Sequence, residues 1–244
     1  MSKLPRPISE YGYYHLILRG NNKQIIFEER ADYVYFLNLL KKFSAEFHVS
    51  INAFCLMENH VHLLVCHTGT NIPTFMKYLA GTYAVWFNQK YNKIGHLFQG
   101  RYLSKPIESE ESLCKVFRYI INNPKDGGIC SAKDYPWNSY SRYGNPNSFV
   151  DTTILQEMLG SFEDYNAYLN ENYEIDASFE SWDQDDEWAK SVIRETLGIE
   201  SGTIIQTYDQ EKRNQAIRTL RDQGLSIRQI ARLTGISKSV IQRA

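Results

Sequence analysis

Among its 244 residues the chain has only four cysteines, Cys55, Cys66, Cys114 and Cys130, and no two of them form a C-x-x-C pair. That scatter indicates neither a zinc knuckle nor a disulfide framework, so they read as reduced, mostly buried thiols. No apolar window approaches the length of a membrane span, and the opening Met1-Ser-Lys-Leu-Pro-Arg-Pro7 leads into no signal-peptide core. The expectation is a cytoplasmic chain with no membrane partner. There is also no P-loop, no low-complexity tract and no internal repeat of about 20–50 residues.

What is present is ample for a core: 43% hydrophobic and 14% aromatic residues. The net charge of −1 conceals an uneven distribution. Residues 1–150 hold 17 Lys/Arg against 11 Asp/Glu, residues 151–201 hold 2 against 14, and residues 202–244 hold 8 against 3. Two basic blocks therefore flank an acidic one, the footprint expected of a polyanion binder, although so small a surplus also occurs on ordinary surfaces.

Periodicity sets the elements. Residues 11–19 read as a strand closed by the turn Gly20-Asn21-Asn22. Residues 30–47 switch to helical spacing, with Tyr33, Phe36, Leu37, Leu40, Phe43 and Phe47 on one face. Strands at 49–57 and 60–66 pair antiparallel across Glu58-Asn59, and 72–92 is a second helix whose aromatics read as core rather than as base-stacking platforms. A glycine-punctuated loop from 94 runs into a short strand ending at 107. Ser109 is the N-cap of a third helix, with Glu110 and Glu111 in its first turn, and Pro124 places its end near Asn123. The order gives an α+β fold, an antiparallel or mixed sheet with covering helices.

The chain divides into a domain at 1–150, an acidic, mostly helical connector at 151–201 with a disordered-looking run at Asp183–Glu187, and a DNA-binding segment at 202–244. That last segment has a charged helix over Tyr208–Gln223 and a stop at Gly224. Ser226 and Gln229 make a capping box for a short helix, Gly235 turns, and Ser237 caps a second. This is helix-turn-helix patterning, in which Lys238, Ser239, Gln242 and Arg243 face the major groove.

Within the first domain, Cys55-Leu-Met-Glu-Asn-His-Val-His-Leu-Leu-Val-Cys66 places His60 and His62 at i, i+2, on one face of a strand. Two adjacent imidazoles either chelate a divalent cation or simply pack and hydrogen-bond, and the pair alone does not choose. The loop carries His96, Gln99, Arg101 and Lys105, donors suited to phosphate or base edges or to a solvated connection. On the third helix the apolar stripe is Leu113, Phe117, Ile120 and Ile121; Tyr119 points away from its centre, and Asn123 shares the side of Tyr119.

His60-Val-His62, Gly95-His-Leu-Phe-Gln-Gly-Arg-Tyr102 and Arg118-Tyr-Ile-Ile-Asn-Asn-Pro124, in this order and spacing, resemble the signature blocks of single-tyrosine HUH transposases, in particular the REP-associated tyrosine transposase branch. His15-Leu-Ile-Leu-Arg-Gly-Asn-Asn22 and Asp134-Tyr-Pro-Trp-Asn-Ser-Tyr140 fit the same branch, and the resemblance covers roughly residues 8–145. Two departures stand out: Glu58 where the family usually has proline, and Ile121-Asn122 where it has His-Leu. Both are expected to bear on substrate contacts.

The resemblance implies a ferredoxin-like HUH core with Tyr119 as nucleophile and His60, His62 and Asn123 as ligands of Mg²⁺ or Mn²⁺. The implied reaction cleaves and rejoins single-stranded DNA at hairpin sites through a covalent 5′-phosphotyrosine, without ATP. Arg19, Gln99, Arg101 and Lys105 would contact that DNA, and Lys238, Gln242 and Arg243 would add duplex recognition. Similar enzymes include helix-exchanging dimers and monomers, so a homodimer is left open. Two alternatives remain: a domesticated, non-cleaving regulator that binds hairpin or operator DNA, and a metal-dependent phosphoesterase acting on small nucleotides.

Overall fold

The computed structural model describes residues 8–67, 71–174, 179, 184–225 and 227–244. They form two compact units that divide between Ile175 and Asp176.

The first unit is built on four strands, β1 (Tyr13–Arg19), β2 (Ser50–Met57), β3 (His60–Cys66) and β4 (Leu103–Ile107), in the order β2-β3-β1-β4. Every pairing is antiparallel. Alternation assigns the two faces. Leu16, Leu18, Phe54, Leu56, Val61, Leu63 and Val65 enter the main core. That face is covered by α1 (Arg30–Glu46) and α2 (Ile72–Lys90), through Phe36, Leu40 and Phe43 and through Phe75, Leu79, Tyr83 and Phe87. The aromatic stripe of the second helix is thus core, with Trp86 left at its margin and stacked on Tyr35.

The opposite face carries His15, Ile17 and Arg19 beside Leu64, His62 and His60, their register partners. Over it lies α3 (Glu110–Asp126), which touches β2 and β3. Ser109 caps α3 as expected, its hydroxyl accepting from the Ser112 amide. The helix does not stop near Asn123. It continues through Pro124 to Asp126, and the Gly127 amide closes on the Asn123 carbonyl at 2.9 Å. Proline forfeits one backbone bond, whereas Asn122, Asn123 and Pro124 are all buried, so packing keeps this turn helical.

Two helices from the acidic block, α4 (Thr153–Leu159) and α5 (Phe162–Asn170), belong to this same unit. Ser161 and Asp164 cap α5 reciprocally. The Arg118 guanidinium lies 4.3 Å from the Tyr168 ring centroid and 4.4 Å from that of Tyr173. Asn122 donates its side-chain amide to the Leu169 carbonyl at 2.7 Å. Asn122, expected as a substrate-facing departure, is instead buried and fastens α3 to α5.

The block at 134–140 closes the β2 edge. Leu56 N–H donates to the Trp137 carbonyl at 2.9 Å, and Ser139 N–H donates to the Phe54 carbonyl at 3.0 Å. Trp137 stacks on Tyr33 at 4.4 Å, and the Asn138 amide reaches the Ile121 carbonyl in α3 at 3.3 Å.

The second unit holds α6 (Gln184–Leu197), a short 3₁₀ segment (Gly202–Thr207), α7 (Gln210–Asp222), α8 (Ile227–Thr234) and α9 (Lys238–Arg243). The run expected to be disordered is helical from Gln184 onward, while Asp183 lies outside the described residues. Acidic residues at the start of a helix complement its dipole, so this composition suits an N-terminus as well as a disordered tract. The core of this unit is Ala189, Ile193, Ile205, Ile217, Leu220, Ile230, Ile236 and Ile241. Asp209 caps α7 through the Lys212 amide. Ser226 of the expected capping box lies outside the described residues. Ser237 does hold the N-cap position of α9, but its side chain makes no capping bond and meets Ser239 instead.

Candidate active site

The candidate site lies between the His15–His60–His62 face of the sheet and α3. The β2–β3 turn is held from outside: Ile26 and Phe27 amides donate to the Glu58 carbonyl, and Gly20 N–H donates to the Asn59 carbonyl at 2.8 Å. Gly20 is required here, because a Cβ would stand 2.1 Å from the Gln24 carbonyl oxygen. The turn after β1 in its own right reaches the loop that follows α2, through Asn21 N–H to the Leu97 carbonyl and Gln99 N–H to the Arg19 carbonyl. Three sequence blocks far apart in the chain are thereby gathered at the end of β3.

His60 is partly exposed and His62 is 1% exposed. Their rings are 4.9 Å apart at 87°. Tyr119 comes down from α3 edge-on to His62, with centroids 5.3 Å apart at 85°, and is itself 1% exposed. Sequence spacing places Tyr119 away from the apolar stripe, and both sides prove to be buried. Phe117 packs toward Tyr143 and Tyr165, while Tyr119 faces the histidines. Asn123, one turn along, sets its Oδ1 3.2 Å from His60 Nε2.

The hydrogen bonding of this group is unusual. His60 Nδ1 lies 2.6 Å from Asn59 Oδ1 while its Nε2 faces Asn123 Oδ1. A neutral imidazole has one N–H for two oxygens, so one contact brings two lone pairs together unless a cation or proton lies between them or an amide is turned. His62 Nδ1 meets His15 Nε2 at 2.9 Å, and His62 Nε2 is buried with no hydrogen-bond partner among the described residues. Burial, aided by nearby Lys105, pushes the His15 imidazole down to about 3. Burial likewise holds His62 well below the ordinary histidine value, with His60, His15, Lys105 and Arg19 adding to the effect. Both rings are neutral at neutral pH.

These observations fit a divalent cation. An unpartnered imidazole nitrogen and a second nitrogen facing an amide oxygen are what a two-nitrogen, one-oxygen ligand set presents without its ion. The 3.2 Å between His60 Nε2 and Asn123 Oδ1 is close to the edge of about 3 Å for an octahedral shell with bonds of about 2.1 Å. Among the described residues no group of three His, Cys, Asp or Glu side chains is arranged to hold a metal.

Of the expected DNA contacts, Arg19 is the register partner of His60, and Lys105 is that of His15, so both share the histidine face. Gln99 is tied to Arg19 through the backbone, and Arg101 is exposed in the same loop. Lys238, Ser239, Gln242 and Arg243 are exposed on α9 in the second unit. The residue that sequence reading passed over is His15. It carries no motif of its own, but it occurs at the head of the His15–Asn22 block and shares the alternation of Ile17 and Arg19.

Residues 9–123 match the family model described as transposase, IS200-like, and residues 206–243 match the helix-turn-helix domain of resolvase. No curated protein matches the chain. Among solved structures the chain is similar to a REP-associated tyrosine transposase bound to a REP hairpin, at 16% identity and a TM-score of 0.50. That match covers 63% of this chain and 94% of the other. A putative transposase from Deinococcus radiodurans R1 matches at 25% identity and a TM-score of 0.35, over 50% of this chain and 97% of that one. None of the helices in the described residues is long and apolar enough to cross a membrane. With an antiparallel sheet and an α3 that carries Tyr119 onto a histidine pair, residues 9–123 are a transposase domain of the IS200-like family, joined in one chain to a DNA-binding helix-turn-helix of the resolvase type.

Proposed function

We propose that this chain cleaves and rejoins single-stranded DNA at hairpin-containing sites, with Tyr119 as the nucleophile. The observation that carries this reading is the meeting of Tyr119, His62, His60 and Asn123 in one site, drawn from a strand and a helix. His60, His62 and Asn123 would hold Mg²⁺ or Mn²⁺. When bound, the cation supplies Lewis-acid polarisation of the scissile phosphate and offsets charge that develops on it.

The chain's own residues do the rest. Tyr119 Oη attacks the phosphorus, forming a tyrosyl–5′-phosphate bond as the bond to the 3′ oxygen breaks. The phenol loses a proton and the leaving oxygen gains one, so no net proton is consumed. Rejoining is the reverse attack by a 3′-OH, and the phosphodiester character preserved in the covalent link is why no ATP is needed. Arg19 and Lys105, on the histidine face, attract and orient the backbone, and Gln99 and Arg101 extend that contact along the single strand. Lys238, Gln242 and Arg243 on α9 contact duplex DNA, the first as a phosphate anchor. The branch similarity and the hairpin-bound relative support a hairpin substrate.

One observation favours a second reading, a non-cleaving binder of hairpin or operator DNA: the Tyr119 hydroxyl oxygen is buried. The test is incubation with a 5′-hairpin single-stranded oligonucleotide and Mn²⁺, followed by a denaturing gel. Wild type is expected to give a protein–DNA adduct and Tyr119→Phe none. An adduct with Tyr119→Phe, or none from wild type on any hairpin substrate, rejects the cleavage mechanism.

A further inference from the structure

His15 is fully buried in the inner strand β1, and its Nε2 lies 2.9 Å from His62 Nδ1. The two rings stack at 5.1 Å and 28°, and His15 also meets Tyr119 at 6.0 Å. The pairing follows from register. Ile17 is opposite His62, so His15 is a diagonal neighbour on the same face. Two buried imidazoles in direct contact share one hydrogen between these nitrogens, and its location decides what the far side of His62 can do.

If His62 carries the hydrogen on Nδ1 and donates it to His15, its Nε2 presents a lone pair. If His15 donates instead, His62 has its hydrogen on Nε2. That atom, buried with no hydrogen-bond partner among the described residues, would then carry the hydrogen and have no lone pair for a cation. His15 does not itself share the ligand position, because its Nε2 is turned to the Nδ1 side of His62.

We propose that His15 is a positioning residue: by accepting the Nδ1 hydrogen of His62 it fixes the tautomer and ring orientation that leave His62 Nε2 free to hold a divalent cation. The inference rests on the metal-site reading above. Partners of this kind orient metal-bound histidines, and losing one weakens metal affinity by about 10–100-fold. His15→Gln retains an acceptor at a similar reach, whereas His15→Phe keeps bulk and stacking but removes it.

The test uses the full chain and two readouts besides activity. In metal-free protein labelled with ¹⁵N-histidine, long-range proton–nitrogen correlation reads the His62 tautomer. Mn²⁺ affinity is measured by titration with electron paramagnetic resonance. The expected results are an Nδ1–H tautomer in wild type and His15→Gln, Mn²⁺ affinity within about threefold between these two, and a loss of about 10–100-fold in folded His15→Phe. An Nε2–H tautomer at His62 in wild type overturns the inference whether or not any variant folds. So does wild-type Mn²⁺ affinity in His15→Phe, or an equal loss in Gln and Phe. Absence of Mn²⁺ binding by wild type, or Mn²⁺ binding undiminished by His62→Ala, overturns the metal site itself and the inference with it. Mn²⁺ binding that depends on His62 but not on the acceptor at residue 15 overturns only the role of His15.

Discussion

Asn122 and Leu169 are joined by a 2.7 Å hydrogen bond from a side-chain amide in α3 to a carbonyl in the last turn of α5. A helix end leaves such carbonyls without helical partners, and here the partner comes from the helix that carries Tyr119. Replacing Asn122 with leucine, which keeps the branched outline but has neither donor nor acceptor, leaves the Leu169 carbonyl buried and unpaired. The expected cost is about 1–3 kcal/mol in urea denaturation. An unchanged midpoint would show that α5 does not hold α3.

His60→Ala and His62→Ala are each expected to abolish the tyrosyl adduct while leaving hairpin binding largely intact, measured by gel shift on the same oligonucleotide. The ligands act on the scissile phosphate, whereas Arg19, Gln99, Arg101 and Lys105 are assigned most of the contact with the strand. A variant that still cleaves would return the pair to a packing role.

Gly20→Ala should loosen the wall without touching a candidate ligand. Its Cβ would meet the Gln24 carbonyl oxygen at 2.1 Å, so the backbone that fastens Asn59 must shift. The expectation is a loss of about 1–3 kcal/mol in stability and lower Mn²⁺ affinity, since Asn59 contacts His60. Normal values for both would sink the idea that this turn sets the site.

Acid stability should depend on Asp32. Burial alone would raise its carboxyl, but the Lys90 ammonium, the Tyr91 hydroxyl and the Glu29 and Glu28 amides outweigh burial and hold it below the ordinary value. A carboxyl depressed by folding contributes stability that is present above its unfolded pKa, near ~3.9, and lost as pH falls through the folded one. Asp32→Asn is therefore expected to be less stable at neutral pH, by about 2 kcal/mol. The gap to wild type should narrow below about pH 4, as followed by thermal melts. A gap that stays constant down to pH 2 would contradict this assignment.

In the second unit, Lys238→Ala should weaken duplex binding across sequences and lower the salt-dependence slope by about one, whereas Gln242→Ala should relax sequence preference. Fluorescence anisotropy at several salt concentrations distinguishes them. Identical behaviour of the two variants would argue against α9 as the reading helix.

Much of this architecture was legible from periodicity, because β3 and α2 bury what their patterns say they bury. The helix-turn-helix was equally plain, its Ile230, Ile236 and Ile241 forming the expected core. What was not legible depended on contacts distant in sequence. Pro124 reads as a stop until the buried Asn122 and Asn123 are seen to hold that turn. Asn122 reads as a substrate residue until α5 is placed behind it. His15 reads as one histidine in an apolar strand, since only strand register puts it against His62. The candidate set His60, His62, Tyr119 and Asn123 came from motif order, and its meeting in space needed the fold.

The segment laid along β2 has a consequence for assembly. Its hydrogen bonds at Phe54 and Leu56, together with Asp151 N–H to the Ile51 carbonyl, occupy groups that an intruding strand would need. At the other margin, β4 contains Pro106, which has no N–H to offer, and the charged Lys105. Neither border invites a second copy to continue the sheet. Self-association of this unit would have to proceed through side-chain surfaces, and a concentration-dependent gain in β-structure is not expected to accompany it.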